Sequence, residues 1–134
     1  MTPLSVLLVD DEAEIRNLIR GWLERSGHHV TTAVNGVEAA AILQAKVFDL
    51  VVTDVLMPES DGVELIARVK KSSSTTRILA MSGGGRVMES TDCLRLAQGL
   101  GAHAAVMKPF LRDQFMAAVA LATNGQSPTP HVAR

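Results

Sequence analysis

Five short apolar runs alternate along the chain with stretches whose apolar residues recur every three or four positions. The runs are Ser5–Val9, His29–Ala33, Leu50–Asp54, Ile78–Ser82 and Ala104–Met107. Apolar runs of this length, bounded by charged or turn residues, predict strands buried on both faces, the usual state in a parallel sheet. The stretches between them carry helical spacing. Glu12–Ser26 repeats Ile15, Leu18, Ile19, Trp22 and Leu23 and stops at Gly27. Asn35-Gly36 marks a turn, with Asn35 as a cap for a helix over Val37–Lys46 anchored by Ile42 and Leu43. A loop at Pro58–Gly62 precedes a third helix, capped by Ser60 or Asp61 and running to Lys71 with Val63, Leu65, Ile66 and Val69 to bury. Ser72–Thr76 is a polar linker, and Gly83-Gly84-Gly85 is a pliable loop. A fourth helix is expected within Ser90–Leu100, ended by Gly99 or Gly101, and a fifth over Arg112–Thr123 with Phe115, Met116, Val119 and Leu121 facing inward.

Strand–helix alternation predicts an α/β domain with a parallel sheet, helices on both faces and right-handed crossovers. In such sheets the ligand crevice lies at the carboxyl ends of the strands. Asp10 and Asp11 follow the first strand, Asp54 ends the third, Ser82 ends the fourth and Lys108 follows the fifth. The second strand carries no candidate group and can sit at the edge. The order 2-1-3-4-5 brings the other four together, which is a doubly wound, flavodoxin-like (βα)5 fold.

An aspartate after a strand is by itself most often a turn or cap residue. Three crowded carboxylates repel one another unless a cation joins them, so Asp10, Asp11 and Asp54 together point to a divalent metal. Mg²⁺ is bound through one or two carboxylates, water and phosphate oxygens. A backbone carbonyl just past Asp54 would add a further oxygen. Lys108 supplies a point charge for a phosphoryl oxygen, and Ser82 a hydroxyl. The set suits phosphoryl transfer, with one carboxylate as the nucleophile of an aspartyl phosphate.

Composition narrows the partners. The 134 residues fit one domain, and 47% are hydrophobic, enough for a core. Thirteen basic and 14 acidic residues leave a net charge of −1, which gives no electrostatic footprint for nucleic acid or an anionic membrane. Three Phe, one Trp and no Tyr disfavour base stacking. Cys93 has no second cysteine to pair with, so a reducing, cytoplasmic setting is expected. No apolar run approaches the ~20 residues that span a bilayer. Trp22 is read as a helix anchor, Cys93 as packing, and His28, His29 and His103 carry no assigned chemistry.

The chain resembles the receiver domain of bacterial two-component response regulators, of the stand-alone type similar to the chemotaxis response regulator. The matching pieces are Val6–Glu12, Asp54–Gly62, Ala80–Gly83, Gly101-Ala102 and Lys108-Pro109-Phe110, within about Leu4–Ala122. The resemblance implies that Asp54 is the phosphoacceptor and that Asp11 binds Mg²⁺ (or Mn²⁺) directly, supported by Asp10. It implies that Asp54 and the Leu56 carbonyl complete the metal shell, that Lys108 contacts the phosphoryl group and that Ser82 is the switch hydroxyl, followed by Gly83. The Lys108-Pro109 peptide is expected to be cis. The implied donor is a sensor histidine kinase or a histidine phosphotransfer protein, and the signal leaves through a downstream protein partner. Residues 1–123 would form the receiver and 124–134 a flexible tail, with no output domain, and the chain would catalyse only its own phosphorylation and dephosphorylation.

Two positions depart from the family pattern. The usual switch aromatic, three residues before the lysine, is Ala105, and the residue after Ser82 is Gly83 rather than the common alanine. A switch here would order the loop Ser82–Arg86 instead of moving a ring. Ala105 also favours an alternative, a receiver-fold interaction module that works without phosphorylation. An external phosphatase ranks lower, because no second acid stands two residues after Asp54 as in haloacid-dehalogenase-type phosphatases.

Overall fold

The computed structural model describes residues 2–57, 60–73, 75–83, 95 and 98–124. In chain order the elements are β1 (Ser5–Val9), α1 (Ala13–Arg25), β2 (His29–Ala33), α2 (Gly36–Ala45), β3 (Leu50–Asp54), β4 (Leu56–Met57), β5 (Ser60–Asp61), α3 (Gly62–Ser72), β6 (Arg77–Ser82), β7 (Ala104–Met107) and α4 (Arg112–Asn124). The main sheet has the order β2-β1-β3-β6-β7, and its strands pair in parallel. With the ribbon β4–β5 set apart, this is the expected 2-1-3-4-5 order. Of the fourth predicted helix, residues 95 and 98–100 are helical; the rest, with Cys93 and the loop 84–86, lies outside the described residues, as does 125–134.

The apolar runs form strands because each face of the sheet meets its own helical layer. Val6, Leu8, Leu50, Val52, Leu79, Met81 and Val106 pack with Ile19, Trp22 and Leu23 of α1 and Phe115, Ala118 and Val119 of α4. Leu7, Val9, Val51, Ile78 and Ala80 pack with Ala39 of α2 and Leu65, Ile66 and Val69 of α3. Successive residues of one strand thus enter different cores, as a period of two demands. Trp22 is the anchor expected of it, with ring centroids 6.1 Å from Phe110 and 5.8 Å from Phe115. Leu121, expected inside, is 69% exposed; α4 reaches the core instead through Phe115, Ala118, Val119 and Ala122.

Local sequence fixes the ends. Asn35 Oδ1 accepts from the Glu38 N–H, and Glu38 Oε1 accepts from the Val34 N–H, both at 2.8 Å, a reciprocal cap at the start of α2. Part of the loop expected at Pro58–Gly62 is strand: Leu56–Met57 pairs antiparallel with Ser60–Asp61. The last helix extends to Asn124, which was expected to open the tail. Both differences concern elements whose ends rest on one or two hydrogen bonds rather than on periodicity.

The edge of the sheet away from the carboxyl ends is closed by two histidines. His28 Nδ1 accepts from the Leu4 N–H and His103 Nδ1 from the Ile78 N–H, each at 3.0 Å. An accepting ring nitrogen must be unprotonated. Burial, then the charges of Arg77 and Lys70, push the His103 pKa down from 6.5 to about 4, and burial followed by His29 lowers that of His28. The folded pKa lies below the unfolded one, so this stabilisation is complete above pH 6.5 and is lost as pH falls from 6.5 toward 4. His103 is half-buried, so the expected loss is about 1 kcal/mol rather than the several of full burial. The drop in urea midpoint between pH 7 and 4.5 is expected to be smaller in His103→Gln, whose amide oxygen keeps an acceptor at every pH. An equal drop would remove His103 as a cause.

Candidate functional site

The register brings the predicted residues to one edge. Val9 lies opposite Thr53, Asp54 opposite Met81, and Ser82 opposite Met107. Backbone bonds tie the strand ends beyond the ladders: Asp10 N–H to Ala33 O at 3.2 Å, Val55 N–H to Met81 O at 2.9 Å, and Lys108 N–H to Ser82 O at 2.6 Å. The Lys108-Pro109 peptide is cis, as expected. Ser82 ends β6 and is buried, and Leu56 stands at the start of β4, two residues past Asp54.

Asp10, Asp11 and Asp54 converge, each offering a carboxylate oxygen within 4.8 Å of the other two. Asp10 is fully buried and Asp54 nearly so, while Asp11 faces solvent. Asp10 Oδ1 accepts from the Glu12 N–H at 2.8 Å, and the Arg16 guanidinium donates to the Asp10 carbonyl at 2.7 Å, which fixes the turn from β1 into α1. Asp10 Oδ2 is also buried. It meets Lys108 Nζ as an ion pair at 2.8 Å. A buried carboxylate oxygen beside two further carboxylates fits a divalent cation with oxygen ligands.

Lys108 reaches into this group. Its Nζ lies 2.8 Å from Asp10, 3.0 Å from Asp54 and 3.2 Å from Glu12. Burial alone pushes an ammonium pKa down, but the close carboxylates of Asp10 and Asp54 outweigh it and hold Lys108 above the ordinary lysine value. The lysine is therefore charged at every physiological pH. Sequence reasoning gave Glu12 and Arg16 no role. The only signal was that a third acid directly follows the aspartate pair.

Two glycines make the arrangement possible. Gly62 is buried against the backbone that carries Asp54. A Cβ there would meet the Asp54 carbonyl oxygen and come within 2.8 Å of Val55 Cα and 2.9 Å of Val55 O. Backbone cannot give way as a side-chain tip can. Gly62→Ala is expected to cost about 3 kcal/mol of stability and to weaken divalent-cation binding through displacement of Asp54. Urea unfolding and a cation titration check both, and an unchanged midpoint would contradict the tight approach. Gly83 lies beside the Lys108 stem. A Cβ there would be 3.1 Å from Lys108 Cδ and 3.4 Å from its Cβ. Ala105 is half-buried, opposite Ala80, and packs on the core shared with α2 and α3.

Fold and site define a flavodoxin-like domain with an acidic pocket at its carboxyl edge, entered by a lysine from the last strand. A sequence model of the response regulator receiver domain matches residues 6–120, and the chain belongs to that family. It is 37% identical over 97 residues to an uncharacterised 14.6 kDa protein of Leptolyngbya boryana, covering 71% of this chain and 74% of that one. It is 34% identical over 128 residues to the transcriptional regulatory protein TcrA of Mycobacterium tuberculosis, covering 95% of this chain and 49% of that regulator. The chain spans between 26% and 49% of the length of three transcriptional regulators it matches. Among solved structures, the chemotaxis response regulator CheY4 of Vibrio cholerae superposes with a TM-score of 0.76 at 30% identity, covering 88% of this chain and 97% of that one. Among the described residues no helix is long and apolar enough to cross a membrane.

Proposed function

We propose that the chain is a phosphorylation-activated switch of a two-component phosphorelay, with Asp54 as the phosphoacceptor. The observation that carries this reading is the convergence of Asp10, Asp11 and Asp54 within 4.8 Å of one another, with the Lys108 ammonium paired to Asp10 and Asp54. Asp54 attacks the phosphorus of a phosphohistidine on a sensor kinase or phosphotransfer protein. The P–N bond breaks and its electron pair leaves with the imidazole. Asp10, Asp11 and Asp54, with the Leu56 carbonyl, would hold Mg²⁺ or Mn²⁺, which would supply charge neutralisation for the transferring group. Lys108 binds a phosphoryl oxygen, and the Ser82 hydroxyl, followed by Gly83, responds to it.

The product carries about −1.5 to −2 charges on its phosphate, and this change alters contacts with a downstream protein in the cytoplasm. Residues 1–123 act as the receiver, on itself rather than on an external substrate, and neither nucleic acid nor membrane is a direct partner. Ala105 supports a second reading, an interaction module that does not switch, since no ring stands there to follow Ser82. Incubation with Mg²⁺ and acetyl phosphate separates the two. The first predicts a mass gain of one phosphate, mapped to the peptide holding Asp54 and prevented by a chelator. No labelling by acetyl phosphate or by a kinase would favour the second.

A further inference from the structure

The three carboxylates around Lys108 are not equivalent. Asp10 and Asp54 belong to the aspartate group, whereas Glu12 does not. The side chains of Asp10 and Asp54 are 0% and 8% exposed, and that of Glu12 is 60% exposed, so Glu12 lies on the solvent side of the ammonium. Its base is firm. The Glu12 N–H is held by Asp10 Oδ1, and the Glu12 carbonyl accepts from the Arg16 N–H at 3.0 Å in the first turn of α1. The lysine has room to shift, because its stem runs past Gly83, where a Cβ would crowd Cδ at 3.1 Å.

A dication held by the three aspartates would compete with Lys108 for the oxygens of Asp10 and Asp54 and would repel the ammonium. Of the three carboxylates that Lys108 contacts, Glu12 is then the one the cation does not use. We infer that Glu12 is a positioning residue, which holds Lys108 at the mouth of the pocket once a divalent cation occupies the three aspartates. The ammonium moves outward without leaving, and stays where a phosphoryl oxygen arrives. This rests on the phosphoacceptor reading above only for its consequence, not for the lysine's movement. Exposed ion pairs are individually weak. Here both backbones are fixed, that of Lys108 by its bond to Ser82 and that of Glu12 in the first turn of α1, so only side-chain freedom is lost on pairing. The expected effect is therefore modest, roughly 3- to 10-fold in rate.

The Lys108 Cε–Hε resonance of the full chain, titrated with Mg²⁺, reads the tether directly. Without metal it is expected to be dispersed in both wild type and Glu12→Gln, because Asp10 and Asp54 hold the ammonium; this also shows that the variant is folded. With Mg²⁺ it is expected to stay dispersed in wild type and to collapse onto the exposed lysines in Glu12→Gln. A signal that stays dispersed in the variant overturns the inference. In acetyl phosphate labelling at saturating Mg²⁺, Glu12→Gln is expected to slow wild type 3- to 10-fold and to have no further effect in Lys108→Met. Equal slowing in both backgrounds overturns it, since Glu12 would then act without the lysine. If wild type takes no phosphate, the phosphoacceptor reading fails while the resonance still decides the role of Glu12.

Discussion

Asp54→Ala is expected to abolish phosphate incorporation, by about 10³-fold or more in rate. The size of the effect follows from how little the neighbouring acids can substitute. Asp10 is fully buried, with one oxygen accepting from the Glu12 N–H and the other paired with Lys108. Asp11 is exposed and belongs to the turn into α1. Asp54 alone ends a strand whose five residues are all buried, and is locked in place by the Val55 N–H bond to Met81 and by Gly62 beneath its carbonyl. A nucleophile held on a rigid element keeps its approach geometry, and misplacement by about 1 Å can cost 10²-fold. Intact-mass measurement after incubation with Mg²⁺ and acetyl phosphate checks the result. Phosphate that persists in the variant, on a peptide containing Asp10 and Asp11, would move the acceptor role to β1.

The main sheet was legible because its strands are buried on both faces. Leu7 and Leu8 enter different cores, and a run with no polar face is what that requires. The site was legible for a related reason. In a parallel sheet every strand points its carboxyl end the same way, so charges that end apolar runs must share an edge. Contacts across the chain were less legible. The bond from Ile78 to His103 spans 25 positions and depends on the register of β6 with β7, which no local pattern carries. The pairing of Glu12 with Lys108 spans 96 positions. Gly62 read as part of a turn, whereas its role is a close approach to the Asp54 backbone, visible only once α3 is docked. The ribbon β4–β5 was missed because two-residue strands have no period to detect.

Lys108→Met should destabilise the metal-free protein by about 3 kcal/mol, near the lower end of what breaking a buried ion pair costs. Methionine keeps most of the stem and removes the charge. Asp10 and Asp54 are then left buried beside Asp11 with no cation among them, three like charges without a counter-charge. The lower end applies because Glu12 and Asp11 face solvent at the mouth. The lysine's folded pKa is raised above its unfolded value of 10.5, so its stabilisation is complete below pH 10.5 and is lost only as pH rises beyond it. The wild-type advantage should therefore be full at pH 7. Magnesium should reverse the order of response. In wild type the ion displaces an ammonium already paired with two of its ligands, whereas in the variant it meets unbalanced carboxylates and binds more tightly. Binding to the folded state alone stabilises by RT ln(1 + [L]/Kd), so the urea midpoint of Lys108→Met should rise further with Mg²⁺ than that of wild type. Equal midpoints without metal, or equal shifts with it, would mean that the lysine does not neutralise the aspartates in the resting protein.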